Sequence, residues 1–534
     1  MTDDVAVAAP DQAPAPRRTR HVSPVLWAGR LTWVDHVLAI VLAAGVLVVH
    51  NVGYMLSQPF WVDESWVAVS TKAPLGSMKW ITSSTPIGWT LLLRLVPGGG
   101  QQDLRMLPLL ACAGAVALAY YLGRALPLPR YAGVLTATAV LLAPSMLTQS
   151  DLKQYTTEAC VSVLILLLVA CIESRWTRPR LVAIGVVTAF GFLFTNTSVI
   201  VGFSAILALA IASLLRRDLR RLSEVAVVFA ASAVTSGLIY LLFHEQLNPL
   251  LTTNWGKKGF FMPTNEGLSG ALRFIGHHWV LLMAVVGWDL WWLYLLLALV
   301  GVASLVALGR PALAMTVPIT VLVVIVASAA HKYPFGDLRT STFWIVLVSV
   351  LVAIGVATGI QVVARRNVGV TLLCLAIFMG LLVVSVHTSI RTQLIPIEDV
   401  RSEVAYVDTH RLAGDVVIVN EQASWGFAYY ESELTPQFVH SAAVTVGFLP
   451  SYPDDPWMIV MPNRLPTGPS DAIAAAEREL KAEGSASTGR IWIVRIHMGG
   501  AEENAWEHAL RTGTVTTYTV GPDPLLLYQP GAHE

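Results

Sequence analysis

Long, nearly uncharged runs of about 20 residues recur as far as residue 388, and they constrain the fold more than any other feature of this sequence. A helix of that length crosses the roughly 30 Å hydrocarbon core of a bilayer, because each residue adds about 1.5 Å. The 534 residues are 55% hydrophobic and only 13% charged, whereas a soluble domain carries about 25% charged residues. The sequence therefore predicts a polytopic α-helical membrane protein.

The apolar runs predict about 11–13 transmembrane helices, of which we place eleven. The predicted spans are 33–56, 104–124, 131–148, 155–172, 180–195, 197–215, 222–244, 279–308, 312–330, 341–361 and 368–388. A further apolar run, Thr85–Val96, has about a dozen residues and covers less than about 20 Å. Because this length is shorter than the hydrocarbon core, we expect a partial or broken helix there.

Arginine clusters between the spans predict the orientation, because positively charged loops favour the cytoplasmic side. If Thr85–Val96 is not a crossing, every cluster faces the cytoplasm: Arg124/Arg130, Arg175/Arg178/Arg180, Arg216/Arg217/Arg220/Arg221, Arg310 and Arg365/Arg366. Residues 1–30, Ala/Pro-rich and then basic, are then a disordered cytoplasmic tail. We predict a multi-pass protein of the plasma (inner) membrane with a cytoplasmic N-terminus.

Beyond residue 390 the sequence becomes polar and mixed for about 140 residues. Strands are predicted at 414–419, 490–496 and 514–520, and amphipathic helices at 471–483 and 502–511. This alternation predicts a small extracytoplasmic α/β domain at 391–534. It follows a transmembrane domain at 31–390, in which an outer loop spans 57–84. The net charge of zero gives no general attraction for nucleic acid.

Two adjacent carboxylates, Asp63 and Glu64, follow the first predicted span directly. Adjacent side chains point apart, so the two acids can act separately. One could accept a proton from an attacking hydroxyl, and the other could orient substrate or bind a cation. The alternative is a solvated acidic pair at the start of a helix.

A second outer segment, Gln149–Glu158, places Lys153 and Tyr155 at the membrane surface. A Lys beside an aromatic ring suits a phosphate head group whose lipid tail lies in the bilayer. The alternative is a snorkelling Lys with Tyr as an interfacial anchor.

A third outer segment, His331–Arg339, places three potential cations within nine positions between two spans. Pro334 and Gly336 stop it from continuing either helix. The segment suits an anion, and Arg339 can offer a bidentate fork. An ordinary surface loop is the alternative.

The outer loop 245–278 mixes aromatic and basic residues, above all in Asn254–Phe261. It is expected to cover a lipid or sugar as a flexible loop, or else to be an interfacial helix. The paired His277 and His278 have no third ligand at a suitable spacing, so no metal site is predicted there.

Three short motifs carry a resemblance to a known superfamily. The Asp63-Glu64 loop after the first span resembles that of the GT-C glycosyltransferases, which use polyprenyl-phosphate sugars. Ser84–Trp89 stands where those proteins have His-Pro-Pro-Leu, without the His. Ser150–Tyr155 is similar to their Gln-Glu-Ala-Arg-x-Tyr, with Lys153 for Arg, and Tyr333–Arg339 is similar to a loop of bacterial members. Over 33–390 the chain looks most like the protein O-mannosyltransferases and the 4-amino-arabinose transferases of lipid A.

The resemblance implies an inverting glycosyltransferase on the outer face of the membrane. A polyprenyl-phosphate sugar is the donor, and a cell-envelope glycan, lipid or protein is the acceptor. Asp63 is the implied base, and Glu64 orients substrate or shares an optional divalent cation (Mg or Mn). The residues implied to hold the donor phosphate are Lys153, Tyr155, His331, Lys332, Tyr333 and Arg339.

Two other classes stay open from the residues alone. A transporter or lipid-linked-sugar flippase has as many helices, but the predicted spans carry few ionisable residues at mid-membrane, where coupling sites lie. The second class is a non-catalytic scaffold that binds partners through its outer domain.

Overall fold

A computed structural model describes residues 31–49, 52–82, 85–143, 152–244, 249–287, 290–364, 367–391, 398–461, 467–482 and 489–531. The predicted tail at 1–30 lies outside these residues. The helices as far as Arg391 are Trp33–Ala44, Val46–Val49, Val52–Ser57, Val62–Ser70, Met78–Ile81, Ile87–Arg94, Gln101–Ala125, Tyr131–Leu141, Tyr155–Ser174, Arg178–Gly191, Ser198–Leu215, Leu219–Ile239, Pro249–Lys257, Gly267–Gly287, Trp291–Ala307, Pro311–Ala329, Leu338–Ala364 and Val368–Arg391.

The apolar helices confirm the predicted helical membrane class. Within the described residues, six helices are long and apolar enough to cross a membrane, and four shorter apolar helices accompany them. Each of the eleven predicted spans contains at least one helix. The span predicted at 279–308 differs, because helices Gly267–Gly287 and Trp291–Ala307 share that stretch.

The short run after the first outer loop is too short to cross alone, as expected. It forms the helix Ile87–Arg94, whose eight residues extend about 12 Å. The amide of Gly88 donates to the carbonyl of Leu193 at 2.8 Å, so the helix starts against the membrane bundle.

Close helix packing holds the bundle together near its centre. A Cβ atom at Gly301 would lie 2.1 Å from the Leu351 carbonyl oxygen, and one at Gly355 would lie 2.3 Å from that of Leu297. Only glycine allows the two backbones of Trp291–Ala307 and Leu338–Ala364 to approach so closely, which is the usual way that membrane helices gain contact.

The C-terminal region contains a five-stranded sheet with the order β4-β1-β5-β7-β6. Its strands are β1 (Val416–Val419), β4 (Met458–Val460), β5 (Ile491–Val494), β6 (Gly513–Tyr518) and β7 (Leu525–Pro530), and β2 (Gln437–His440) pairs with β3 (Phe448–Ser451) separately. Strands β4, β1 and β5 run parallel to one another. Strand β7 runs antiparallel to both of its neighbours, β5 and β6. The helices are Val400–His410, Glu421–Tyr430, Gly468–Ala482 and Gly500–Ala509.

The predicted elements of this region correspond to β1, β5, β6 and two of the helices, whereas β2, β3, β4, β7 and two helices were not predicted. Alternate residues of β1 and β5 face opposite cores. Val417 and Val494 lie in a core shared with the outer loop, and Ile418 and Ile493 pack against helix Gly468–Ala482. The central strands β1 and β5 are therefore buried on both faces.

Candidate active site

The site is built around the helix Val62–Ser70, which we call the Asp63 helix. Asp63 and Glu64 lie in its first turn, where the helix dipole favours negative charge. All nine of its residues are buried, which is unusual for a segment with two acids. The helix Glu421–Tyr430 of the α/β region packs directly on it, and the Lys72 ammonium donates to the Tyr429 carbonyl at 2.6 Å.

Asp63 lies between two cations that the sequence places far away. Its Oδ2 atom contacts the Lys153 ammonium at 3.3 Å and also accepts from the Arg339 guanidinium. Burial alone would raise the pKa of the carboxyl, but these two positive charges more than offset it and hold the pKa below its usual range. Lys153 also lies 4.4 Å from the centre of the Trp66 ring, and Arg339 lies 5.2 Å from that of Trp61.

Glu64 faces away from Asp63 and binds Arg105 instead. Two guanidinium nitrogens of Arg105 donate to the two oxygens of Glu64, and both side chains are 3% exposed. Arg105 also donates to the Met55 carbonyl at 2.7 Å, while Glu64 accepts the Leu152 amide at 2.8 Å. Glu64 therefore fixes the backbone that precedes Lys153, which places that ammonium beside Asp63.

A cavity of about 640 Å³ opens over Asp63, and its volume is within the range of about 300–1,000 Å³ found for small-molecule sites. Its membrane-side lining includes Trp61, Asp63, Lys153, Tyr155, Trp255, Lys257, Lys258, Asp337 and Arg339. The α/β region contributes Gln422, Trp425, Thr445, His497, Met498 and Gly499. One cavity therefore brings together side chains from the membrane region and the α/β region.

The α/β region presents the carboxyl ends of β1 and β5 to this cavity. The helix after β1 packs on the face of the Asp63 helix, whereas Trp506 in the helix after β5 packs on the opposite face. Where consecutive connections leave a parallel sheet on opposite faces, a crevice opens between the strand ends, and such crevices bind ligands. Gln422 and His497 lie at this crevice.

The predicted site residues separate into two groups. Lys153, Tyr155 and Arg339 line the cavity with Asp63. His331 and Lys332 are exposed and absent from its lining, and the His331 ring stacks on Phe261 with centroids 5.0 Å apart.

Tyr333 also lies outside the lining of the cavity, and its hydroxyl donates to the Thr340 carbonyl at 2.8 Å. The Asn254–Phe261 segment does cover the cavity, through Trp255, Lys257 and Lys258 near the end of helix Pro249–Lys257.

Three residues that support the site were not predicted: Arg105, Glu398 and His497. Arg105 could have been singled out, because an arginine within a predicted span needs a buried partner. Glu398 accepts the Val62 amide at 2.7 Å and binds His497, yet nothing in the local sequence connects those positions.

The described residues contain no group of three or more His, Cys, Asp or Glu side chains that could hold a metal ion. Each acid of the outer loop already contacts a cation, Asp63 through Lys153 and Arg339 and Glu64 through Arg105. A divalent cation would have to compete with these positive charges, and the optional Mg²⁺ or Mn²⁺ stays a prediction.

Solved structures of membrane glycosyltransferases share this architecture. The Archaeoglobus fulgidus oligosaccharyltransferase, in complex with Zn and sulfate, matches with a TM-score of 0.55 at 14% identity over 93% of this chain and 73% of that one. ArnT from Cupriavidus metallidurans matches over 93% and 98%, with a TM-score of 0.53 at 13% identity without ligand and 0.54 at 12% with undecaprenyl phosphate. No protein-family model and no curated protein matches the chain. At these identities the likeness is one of fold, and the shared fold is the one that the sequence resemblance predicted.

Proposed function

We propose that this protein transfers a sugar from a polyprenyl-phosphate donor to a cell-envelope acceptor, with inversion at the anomeric carbon. The observation that carries the proposal is the cluster of Asp63, Lys153 and Arg339 in one cavity over the membrane helices. Structural neighbours support the donor class, because ArnT has been crystallised with undecaprenyl phosphate. The resemblance in sequence supports it independently.

The donor phosphate would bind Lys153 and Arg339. Both cations contact the same oxygen of Asp63, so they converge on a point that an anion can occupy. As the bond from the anomeric carbon to the phosphate oxygen breaks, charge develops on that oxygen, and fixed cations stabilise it most where water is excluded. Lys153 is 6% exposed and is well placed for this purpose.

Asp63 would act as the base only after the donor phosphate has bound Lys153 and Arg339. While Lys153 and Arg339 hold the pKa of Asp63 low, its carboxylate is a weak proton acceptor. A bound phosphate neutralises the same cations, which raises the pKa of Asp63 when the donor is in place. The proton then passes from the acceptor hydroxyl to Asp63 as the hydroxyl oxygen bonds to the anomeric carbon.

Glu64 is proposed as a positioning residue, because its carboxylate binds Arg105 and the Leu152 amide. The cavity is proposed to face the outside of the plasma membrane, in keeping with the arginine clusters, and the α/β region would cover it there.

Turnover of labelled donors by the purified full-length protein tests this function. The protein in detergent is incubated with a panel of radiolabelled polyprenyl-phosphate sugars. Donor binding and the release or transfer of sugar are measured for wild type, D63N and the exposed control D454N. We expect turnover of at least one donor by wild type and D454N, and loss by D63N. Equal turnover by D63N would remove Asp63 as the base, and no binding of any donor would overturn the donor class.

A further inference from the structure

His497 is the residue of the α/β wall with the most unusual backbone. Its φ angle is +52°, in the left-handed region that side chains other than Asn, Asp and His seldom adopt. A residue other than glycine with this backbone in the wall of a cavity is a candidate for a functional role. The side chain is 48% exposed and lines the same cavity as Asp63.

A buried carboxylate fixes the His497 ring. Glu398 is 2% exposed, and its Oε1 atom lies 2.7 Å from Nδ1 of His497. The other oxygen accepts the Val62 amide at 2.7 Å, one of the backbone donors that the start of the Asp63 helix leaves unsatisfied. A carboxylate on Nδ1 selects the tautomer with a proton there, which places the lone pair of a neutral imidazole on Nε2.

The two walls of the cavity differ in charge. All the charged lining residues in the described chain come from the membrane region: Asp63, Lys153, Lys257, Lys258, Asp337 and Arg339. The wall from the α/β region offers amide, hydroxyl and imidazole groups, in Gln422, Thr445 and His497. An anionic donor fits the first wall, whereas the second fits a neutral ligand with several hydroxyl groups.

We infer that the acceptor is a neutral glycan, and that His497 binds one of its hydroxyls beside the hydroxyl that reacts. The Nε2 atom of His497 forms this hydrogen bond, and Glu398 is the positioning residue that holds the ring. This inference rests on the proposed glycosyl transfer and selects one acceptor class from glycan, lipid and protein. Because Glu398 also binds the Asp63 helix, the acceptor contact and the base belong to one connected unit.

Transfer to simple acceptors tests the inference. The full-length protein, with a donor that it hydrolyses, is given octyl glycosides of several neutral sugars, a Ser/Thr-rich peptide and a phospholipid. Wild type is compared with H497N, E398Q and H508N. Asparagine tolerates the left-handed backbone, so H497N removes the imidazole with little strain, and His508 is an exposed histidine of the same region.

We expect transfer to a glycoside, with its KM raised at least 10-fold in H497N and in the same direction in E398Q. In both variants the KM for the glycoside rises more than the KM for donor, and H508N is unchanged. Transfer only to the peptide or the lipid would overturn the inference, as would an unchanged glycoside KM in H497N. If wild type neither hydrolyses nor transfers any donor, the proposed function itself fails, and the acceptor assignment fails with it.

Discussion

Replacing Asp63 by Asn is predicted to separate donor binding from turnover. In the free protein the Asp63 carboxylate forms salt bridges with Lys153 and Arg339, so a phosphate has to displace it from these two cations. A hydrogen bond to a charged group contributes about 1.5–3 kcal/mol, and Asn keeps a weaker neutral acceptor in the same place. We expect a net gain of about 1–3 kcal/mol for phosphate binding, which corresponds to roughly 5- to 150-fold tighter binding.

Turnover moves in the opposite direction, because Asn accepts no proton, and a loss of about 10²–10⁴-fold is expected. Binding is measured with radiolabelled polyprenyl phosphate at fixed ionic strength, with D454N as the control for the loss of one negative charge. If D63N binds polyprenyl phosphate no more tightly than wild type, the phosphate does not take the place of Asp63, and the proposed activation of the base is wrong.

The remaining predictions concern the supports of the site and the α/β region. R339M is expected to weaken polyprenyl phosphate binding at least 10-fold, whereas K332M binds like wild type because Lys332 lies outside the cavity. Equal effects of the two changes on the binding of radiolabelled polyprenyl phosphate would contradict this. R105M leaves the buried Glu64 unpaired and should lower the free energy of unfolding by about 3–5 kcal/mol, with partial recovery in R105M/E64Q, as read from thermal midpoints. Burial, together with nearby acids, raises the pKa of Glu403 to about 9, so the folded state keeps a proton that the unfolded state loses above about pH 4.5. The contribution of Glu403 to the free energy of unfolding is therefore full at low pH and falls as pH rises toward 9. E403Q should raise the free energy of unfolding at pH 7 by up to about 3 kcal/mol. Thermal midpoints of E403Q, measured from pH 5 to 9, should vary less with pH than those of wild type.

Local composition predicted the membrane helices and the main strands, because each depends on residues close together in the chain. Apolar runs with few charges predicted the helices Gln101–Ala125 and Ile87–Arg94, and the apolar run after Gly414-Asp415 predicted β1. Strands such as β2 and β4 have only three or four residues, and without the sheet they have no distinctive pattern.

The site was predicted only in part, since its contacts join distant positions. Asp63, Lys153 and Arg339 were singled out because each is a charge in a predicted outer segment. The pairings were not predictable: Asp63 and Arg339 are 276 residues apart, and Val62 and Glu398 are 336 apart. Lys332 has the same local signature as Arg339, and only the turn before helix Leu338–Ala364 places one inside the cavity and the other outside.

The fully buried Asp63 helix has a consequence for how the protein is made. Helix Glu421–Tyr430, which covers it, is synthesised about 350 residues later, and at about 5–20 residues per second this delay is roughly 20–70 s. During that interval the Asp63 helix has membrane helices on one side and no α/β partner on the other. The two halves therefore mature together, and a chain cut near residue 391 would leave Trp66 and its neighbours exposed to whatever binds nascent apolar surfaces.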